Sequence, residues 1–168
     1  HASMMDGILL SRARFFRFHH NDMDHLESLL ESRLKKYRNA LIVTESVFSM
    51  DGDIAPLRKM TVLKERYDAL LYVDEAHATG VFGENSGGMV EECGLTSKVD
   101  IIMGTYGKAL GSFGAYAASD RVLIDYFINK ARSFIFSTAL PPSVIGADLA
   151  ALSIVQKECF RRKNLLEK

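Results

Sequence analysis

The segment Leu70-Leu-Tyr-Val-Asp-Glu-Ala-His77 predicts a short buried strand that is followed at once by ionisable side chains. Similar apolar runs at Ala40–Thr44 and Ile101–Met103 lie roughly 30 residues before and after it, which is the length of a βαβ unit. Because helical patterns separate the runs, we expect a parallel sheet with right-handed crossovers and helices on both faces. The sequence therefore predicts an α/β fold of three layers, αβα, around a mostly parallel sheet.

Further elements are predicted around this sheet. An aromatic-rich run at Arg14–Phe18 and a weaker apolar run at Gly114–Ala118 are candidate strands. The last helical pattern becomes strongly charged from Lys157 onward, which is typical of a connector that projects beyond the core. Helices are expected to begin near Asn21 or Asp24, at Pro56, at Met89, at Asp120 and at Pro141-Pro142.

The composition excludes several classes of partner. The chain has 168 residues, and its 21 Lys and Arg balance its 21 Asp and Glu, so no general attraction to nucleic acid or an anionic membrane is expected. Cys93 and Cys159 form no CxxC pair, which favours a reducing compartment. The longest apolar runs are far shorter than the roughly 20 residues that cross a bilayer, and no signal-peptide pattern is visible. We therefore expect a cytoplasmic protein that contacts neither membrane nor nucleic acid.

Polar side chains follow each of the three main predicted strands. The segments are Glu45–Ser49, Asp74–His77 and Thr105–Lys108. Parallel sheets bind ligands outside the carboxyl ends of their strands, so these segments are expected to meet at one edge. A carboxylate, an imidazole, an amine and hydroxyls at one edge favour a site for a small polar molecule that carries a phosphate and an electrophilic carbon.

Each of these residues also has a structural interpretation. Asp74 could cap the turn that follows its strand, and His77 could be a structural histidine. Lys108 could be a solvated loop lysine, although Gly107, Gly111 and Gly114 would let the backbone approach a ligand closely. The residues alone leave both interpretations open.

The glycine-rich stretch Gly104–Gly114 does not match a nucleotide-binding loop. A Walker A loop requires a glycine five residues before its Gly-Lys pair and a hydroxyl residue after it, whereas this chain has Ile102 and Ala109 there. No GxGxxG motif follows a strand either. We therefore expect neither a P-loop nor a Rossmann site.

A group of possible metal ligands occurs near the first predicted helix. It comprises His20, Asp22, Asp24 and His25. No HExxH or CxxC spacing accompanies them, and aspartates at a helix start usually accept hydrogen bonds from free backbone N–H groups. We expect these residues to serve the helix and predict no metal site.

Six blocks of sequence together resemble the α-oxoamine synthases, which are fold-type I enzymes that depend on pyridoxal 5′-phosphate (PLP). The blocks follow the family's order and spacing and cover nearly all of the chain. They are His1–Gly7, His20–Asp24, Thr44–Asp53, Val73–Gly80, Gly104–Gly111 and Phe136–Pro142.

The resemblance implies roles for the residues after the second and third strands. Lys108 matches the lysine that holds PLP covalently and later removes the α-proton of the amino-acid substrate. Asp74 matches the carboxylate that faces the pyridine nitrogen, and His77 matches the residue that contacts the phenolic oxygen of the ring.

The resemblance also assigns contacts from other parts of the chain. His1 matches the imidazole that stacks on the pyridine ring, so it joins Lys108 and its neighbours as an expected catalytic residue. Ser49 and Thr105 match further cofactor contacts, Thr105 to the phosphate. Ser137 and Thr138 match residues that reach the cofactor phosphate of a neighbouring subunit, which implies a homodimer with shared active sites.

The implied reaction is a decarboxylative condensation of an amino acid with an acyl-CoA to give an α-amino ketone. We expect L-alanine and pimeloyl-CoA as substrates, as in biotin biosynthesis. Glycine with acetyl-CoA is the alternative pair within the family. A non-catalytic fragment that retains the motif residues is the alternative outside it.

The resemblance maps this chain onto the middle of longer proteins. Residues 1–140 match the central part of the PLP-binding large domain, which is therefore incomplete. Residues 141–168 match a helix that leads toward a C-terminal small domain absent from this chain. In the family's topology another strand lies between the predicted strands at Arg14 and Ala40, so a gap is expected there.

Overall fold

Four short strands form one sheet in the computed structural model, which describes residues 1–168. They are Leu41–Glu45 (β1), Leu70–Asp74 (β2), Ile101–Thr105 (β3) and Ala115–Ser119 (β4), and they lie in the order β1-β2-β3-β4. The pairs β1–β2 and β2–β3 are parallel, whereas β3–β4 is antiparallel. The predicted mostly parallel sheet is confirmed, and the weak run near Gly114 is its antiparallel edge strand.

Eight α-helices and one 3₁₀ helix, Leu34–Lys36, accompany the sheet. None is long and apolar enough to cross a membrane. Their bounds are Ala2–Ser11 (α1), Met23–Arg33 (α2), Leu57–Arg66 (α3), Met89–Glu92 (α4), Arg121–Lys130 (α5), Arg132–Ile135 (α6), Pro142–Lys157 (α7) and Phe160–Leu166 (α8).

The hydrophobic core joins β1 and β2 to the helices that precede and follow them. Leu71 and Val73 of β2 are fully buried, as is Met60 of α3. Leu26 and Leu30 lie one helical turn apart on α2, so a single face of that helix reaches the same core. The core therefore holds the carboxyl ends of β1 and β2 on a rigid base.

Two helix starts show how local sequence sets element boundaries. The Asp120 carboxylate accepts a hydrogen bond from the Leu123 backbone N–H at 2.8 Å and caps α5, as predicted. The cap of α2 is Asp22, which accepts from the His25 N–H at 2.9 Å, rather than Asn21 or Asp24. Asn21 has a φ of 53°, which turns the chain into the helix one residue before the cap.

The strand predicted at Arg14–Phe18 is not present. This segment makes no backbone–backbone hydrogen bond, and β1 pairs only with β2. Its aromatic side chains pack on the end of α2 instead, where Phe16 lies 6.0 Å from the Tyr37 ring and 4.9 Å from the Arg33 guanidinium carbon. High β propensity did not produce a strand because no neighbouring strand accepts its backbone groups. Helix α1, which precedes this segment, was not predicted.

The last predicted helix is divided in two. Helix α7 begins at the predicted Pro141-Pro142 step and ends at Lys157, and α8 follows after a break at Glu158. The Arg162 guanidinium donates to the Glu84 carbonyl at 2.8 Å and to the Ser86 hydroxyl, which ties α8 to the loop before α4. The assignment of residues 141–168 as a connector stays a prediction.

A largely buried ion pair fastens the amino-terminal edge of the sheet. Lys64 of α3 lies 2.7 Å from both carboxylate oxygens of Asp100, which directly precedes β3. The same carboxylate accepts a hydrogen bond from the Leu71 N–H at 2.7 Å. Asp100 therefore joins one helix to two strands.

Replacing Lys64 by Met should lower the free energy of unfolding by roughly 2–4 kcal/mol, because it leaves the Asp100 carboxylate without its cation in a mostly buried position. Urea denaturation measures this. The matched control is Lys98→Met, which breaks the half-exposed pair with Glu65 and should cost less than about 1 kcal/mol. Equal losses in the two variants would contradict the role given to the buried pair.

Candidate functional site

The parallel register brings the predicted strand ends to one edge of the sheet. Glu45 pairs with Asp74, and Asp74 pairs with Met103. Backbone hydrogen bonds continue one residue further, because the Ser46 N–H donates to the Asp74 carbonyl at 2.9 Å and the Glu75 N–H donates to the Met103 carbonyl at 2.7 Å. The segments that follow the three strands therefore leave the sheet side by side, as expected.

Asp74 is buried, with 4% of its surface exposed. Its Oδ1 accepts a hydrogen bond from the Ala76 N–H at 2.9 Å, so it does cap the turn that follows β2. No other protein group donates to this carboxylate. One oxygen thus fixes the orientation of the side chain, and the second is available to a ligand.

Three further candidates on the same edge have unpaired polar atoms. The Thr105 hydroxyl at the end of β3 is buried and has no hydrogen-bond partner. Lys108 is exposed and its amine makes neither an ion pair nor a hydrogen bond, and the half-buried His77 ring makes no hydrogen bond. A buried hydroxyl without a partner is unfavourable unless a ligand or water satisfies it.

His1 lies next to this edge, although it is remote in sequence. Its backbone nitrogen lies 2.5 Å from Oε1 of Glu45, the last residue of β1. Its Nδ1 lies 2.8 Å from the Ser3 hydroxyl within the first turn of α1. The structure therefore places this predicted residue beside the end of β1.

The other predicted contacts are not joined to the strand ends by any hydrogen bond. Ser49 is exposed in the turn after β1, and Thr138 is exposed between α6 and α7. The Ser137 hydroxyl donates to the Ser133 carbonyl. Their predicted cofactor roles stay predictions.

Glu75 lies at the same edge, and the sequence analysis gave it no role. It is completely buried, and its carboxylate accepts from the Ser46 hydroxyl at 2.5 Å and from the Met89 and Val90 N–H groups at 3.0 and 2.6 Å. Burial raises the pKa of Glu75, and these hydrogen bonds act in the opposite direction. The sequence does contain a sign of this role, because Glu75 directly follows Asp74 after a buried strand. A second carboxylate in such a buried position needs several hydrogen-bond donors.

The clamp that Glu75 makes requires a glycine opposite it. A Cβ atom at Gly88 would lie 2.5 Å from Oε2 of Glu75, and the φ of 116° at this position also favours glycine. The Glu75 carboxylate therefore joins the loop after β1, the end of β2 and the first turn of α4 at one point.

Three of the four possible metal ligands near α2 take part in other interactions. Asp22 is the helix cap described above, and the hydrogen bond from the His25 backbone is the largest effect that lowers its pKa below the ordinary value. His20 Nε2 lies 2.7 Å from Oδ2 of Asp53, which links the segment before α2 to the loop after β1. Asp24 is exposed in the first turn of α2.

Comparisons with known proteins agree with this geometry. A family model described as "Aminotransferase class I and II" matches residues 1–168. An 8-amino-7-oxononanoate synthase from Geotalea daltonii is 56% identical over 158 residues, which cover 94% of this chain and 40% of the relative. The chain thus spans less than half the length of this curated relative.

Solved structures match the fold closely. Serine palmitoyltransferase from S. paucimobilis, with a bound PLP–myriocin aldimine, has a TM-score of 0.94 at 35% identity, covering 99% of this chain and 42% of that one. 8-Amino-7-oxononanoate synthase from Francisella tularensis has a TM-score of 0.83 at 33% identity, covering 98% and 47%. These matches confirm the predicted α/β fold and the resemblance found in the sequence.

Replacing Glu75 by Gln should lower the free energy of unfolding by roughly 1–3 kcal/mol, because the amide group turns a donor toward at least one of the three donors that now face the carboxylate. Ser46→Ala is the matched variant. It removes one donor and leaves both backbone contacts, so it should cost about 1 kcal/mol. Urea denaturation compares the two, and a Glu75→Gln variant as stable as the wild type would show that the clamp contributes nothing.

Proposed function

Since this chain belongs to the class I and II aminotransferase family, we propose that its strand-end residues bind PLP and that it is the cofactor-binding segment of an α-oxoamine synthase. The observation that carries the proposal is the set of unpaired polar atoms at one edge of the sheet. They are a free oxygen on the buried Asp74 carboxylate, the buried Thr105 hydroxyl and the free Lys108 amine.

These groups fit the chemistry of PLP. The cofactor, when bound, supplies an electron sink for a carbanion at the Cα atom of an amino acid. The Asp74 carboxylate would hold a protonated pyridine nitrogen through a charge-assisted hydrogen bond, and the Thr105 hydroxyl would donate to a phosphate oxygen. The orphaned Thr105 hydroxyl thereby gains the partner that it lacks within the chain.

Lys108 has two proposed tasks. Its amine would hold the cofactor covalently, and it would also serve as the general base that takes the α-proton of the amino-acid substrate. No ion pair or hydrogen bond within the chain occupies the Lys108 amine, so it is free to reach a bound cofactor. His1 would stack on the cofactor ring, while His77 and Ser49 would contact its oxygen atoms.

We propose L-alanine and pimeloyl-CoA as the substrates of the whole protein, with biotin biosynthesis as its pathway. The support is the relative named 8-amino-7-oxononanoate synthase, which is 56% identical over 94% of this chain. The reaction would join the Cα atom of alanine to the thioester carbonyl carbon, release CoA and lose the alanine carboxylate as CO₂. We also propose a cytoplasmic location, which the unpaired Cys93 and Cys159 support.

We further propose a homodimer in which Ser137 and Thr138 reach the cofactor phosphate of the partner. Apolar side chains directly before them are exposed, with 65% of Phe134 and 71% of Phe136 accessible. Helices α5 and α6 contain no buried residue at all. Three consecutive exposed apolar residues, Phe134 to Phe136, favour an interaction site, and a second copy would cover them beside the two hydroxyl residues.

Replacing Lys108 by Ala should abolish the covalent lysine adduct that forms when the chain is mixed with PLP and reduced with borohydride, because no other amine lies in the same loop. Peptide mass spectrometry locates the adduct. Lys130→Ala, at the exposed end of α5, is the matched control and should retain full labelling. An adduct that maps to another lysine, or labelling of the wild type no greater than that of Lys108→Ala, would leave the non-catalytic alternative standing.

Replacing Phe136 by Asp should weaken self-association at least about tenfold, because it places a charge in an apolar contact. Sedimentation velocity over a concentration series measures the dimer dissociation constant. Val62→Asp is the control, since Val62 is an exposed apolar residue on α3, away from the proposed contact. A chain that stays monomeric at every concentration would contradict the proposed dimer.

A further inference from the structure

The loops that follow β2 and β3 lose their backbone connection beyond Glu75. The hydrogen bond from the Glu75 N–H to the Met103 carbonyl is the last one between them. Past this point the Asp74–Gly80 segment bonds to itself and to Ser86, while Tyr106 pairs with Gly114 and Ser112. Some other contact must set the distance between His77 and Lys108.

Gly80, at the end of the first loop, lies against Ala109, because an added Cβ atom there would come within 2.9 Å of the Ala109 Cβ atom. In addition, one side-chain hydrogen bond joins the first loop to β4. The Tyr116 hydroxyl on β4 lies 3.2 Å from the Thr79 hydroxyl, two residues after His77. Thr79 is buried, with 7% of its surface exposed, and Tyr116 is half-buried. Burial raises the pKa of Tyr116, so its hydroxyl keeps its proton and can donate.

The Tyr116 side chain reaches Thr79 by crossing over β3, which lies between β2 and β4. Tyr116 is directly opposite Gly104 in the β3–β4 pair, so the two residues project from the same face of the sheet. A Cβ atom at Gly104 would overlap the phenol ring and lie 2.7 Å from its Cε1 atom. Glycine at 104 is therefore the condition for this crossing.

The same ring also contacts the loop that carries Lys108. Tyr106 follows Thr105 directly, and its ring packs edge-on against Tyr116 with centroids 5.7 Å apart and an angle of 63° between the planes. Such a pair adds a directional contact to the hydrogen bond. Tyr116 thus touches one loop through its hydroxyl and the other through its ring.

We propose that Tyr116 is a positioning residue that, together with the contact between Gly80 and Ala109, sets the distance between the His77 loop and the Lys108 loop. The inference rests on the proposed function, since both loops carry residues assigned there to PLP. Thr79 is its hydrogen-bond partner on the first loop, and Gly104 leaves the space that the Tyr116 ring occupies.

The test uses the 168-residue chain with three variants. Tyr116→Phe and Thr79→Val each remove the hydrogen bond and keep the size of the side chain. Tyr126→Phe is the matched control, because Tyr126 is 59% exposed on α5. Amide hydrogen exchange is followed in residues 105–111, with β2 and β3 as internal references, and PLP affinity is measured by titration of the visible absorbance.

Both variants should accelerate exchange in the Lys108 loop and weaken PLP binding by about 3- to 10-fold, the range for one lost hydrogen bond. The double variant should lose no more than either single one, since both remove the same contact. The pH at which the visible absorbance of bound PLP is half-changed should shift in Tyr116→Phe and Thr79→Val. It should not shift in Tyr126→Phe. A merely stabilising residue would leave that midpoint unchanged.

Gly104→Ala tests the same contact in a second way. Its methyl group would displace the Tyr116 ring, while the hydroxyl groups of Tyr116 and Thr79 both remain. It should also accelerate exchange in the Lys108 loop. Unchanged loop exchange in Tyr116→Phe, or faster exchange with unchanged PLP affinity, would overturn the positioning role. If the wild-type chain forms no lysine adduct, the proposed function fails by itself, and hydrogen exchange still decides whether Tyr116 couples the two loops.

Discussion

The in-register parallel pairing of β1, β2 and β3 is the constraint on which the rest of the structure depends. It aligns Glu45 with Asp74 and Asp74 with Met103, so that three loops remote in sequence leave the sheet at one edge. A shift of one residue in either pair would turn the alternating side chains to the opposite face. Such a shift would be costly because it would expose the fully buried side chains of Leu71 and Val73. The hydrophobic core therefore fixes which residues stand at the ends of the strands.

Polar groups then decide how the loops continue beyond the sheet. Glu75 holds the loop after β1 and the start of α4 through three donors, and Tyr116 reaches from β4 to the loop after β2. In both cases a glycine, Gly88 or Gly104, leaves the space that the side chain occupies. The residues that we assign to the cofactor thus rest on a layer of residues that bind to one another.

The structure also divides into a well-buried part and an exposed part. The main core draws on α2, α3, α4, β1 and β2, whereas α7 buries only Asp148 and α5 buries nothing. The chain spans about 40% of the length of the relative from Geotalea daltonii. The proposed dimer contact before Ser137 lies in the exposed part, and the proposed PLP residues lie at the edge of the buried part.

Local sequence determined the three parallel strands, the start of α3 after Pro56, the Asp120 cap and the order of ionisable residues along the chain. Apolar periodicity and capping chemistry act over a few residues, and they can be recognised without knowing the fold. The failed strand at Arg14–Phe18 shows the limit, because a strand also needs a neighbour for its backbone groups. Only the tertiary structure revealed the three donors around Glu75 and the reach of Tyr116 over Gly104 to Thr79. These contacts join residues that are 14 to 37 positions apart, so their geometry follows from the packing of the sheet and not from any local pattern.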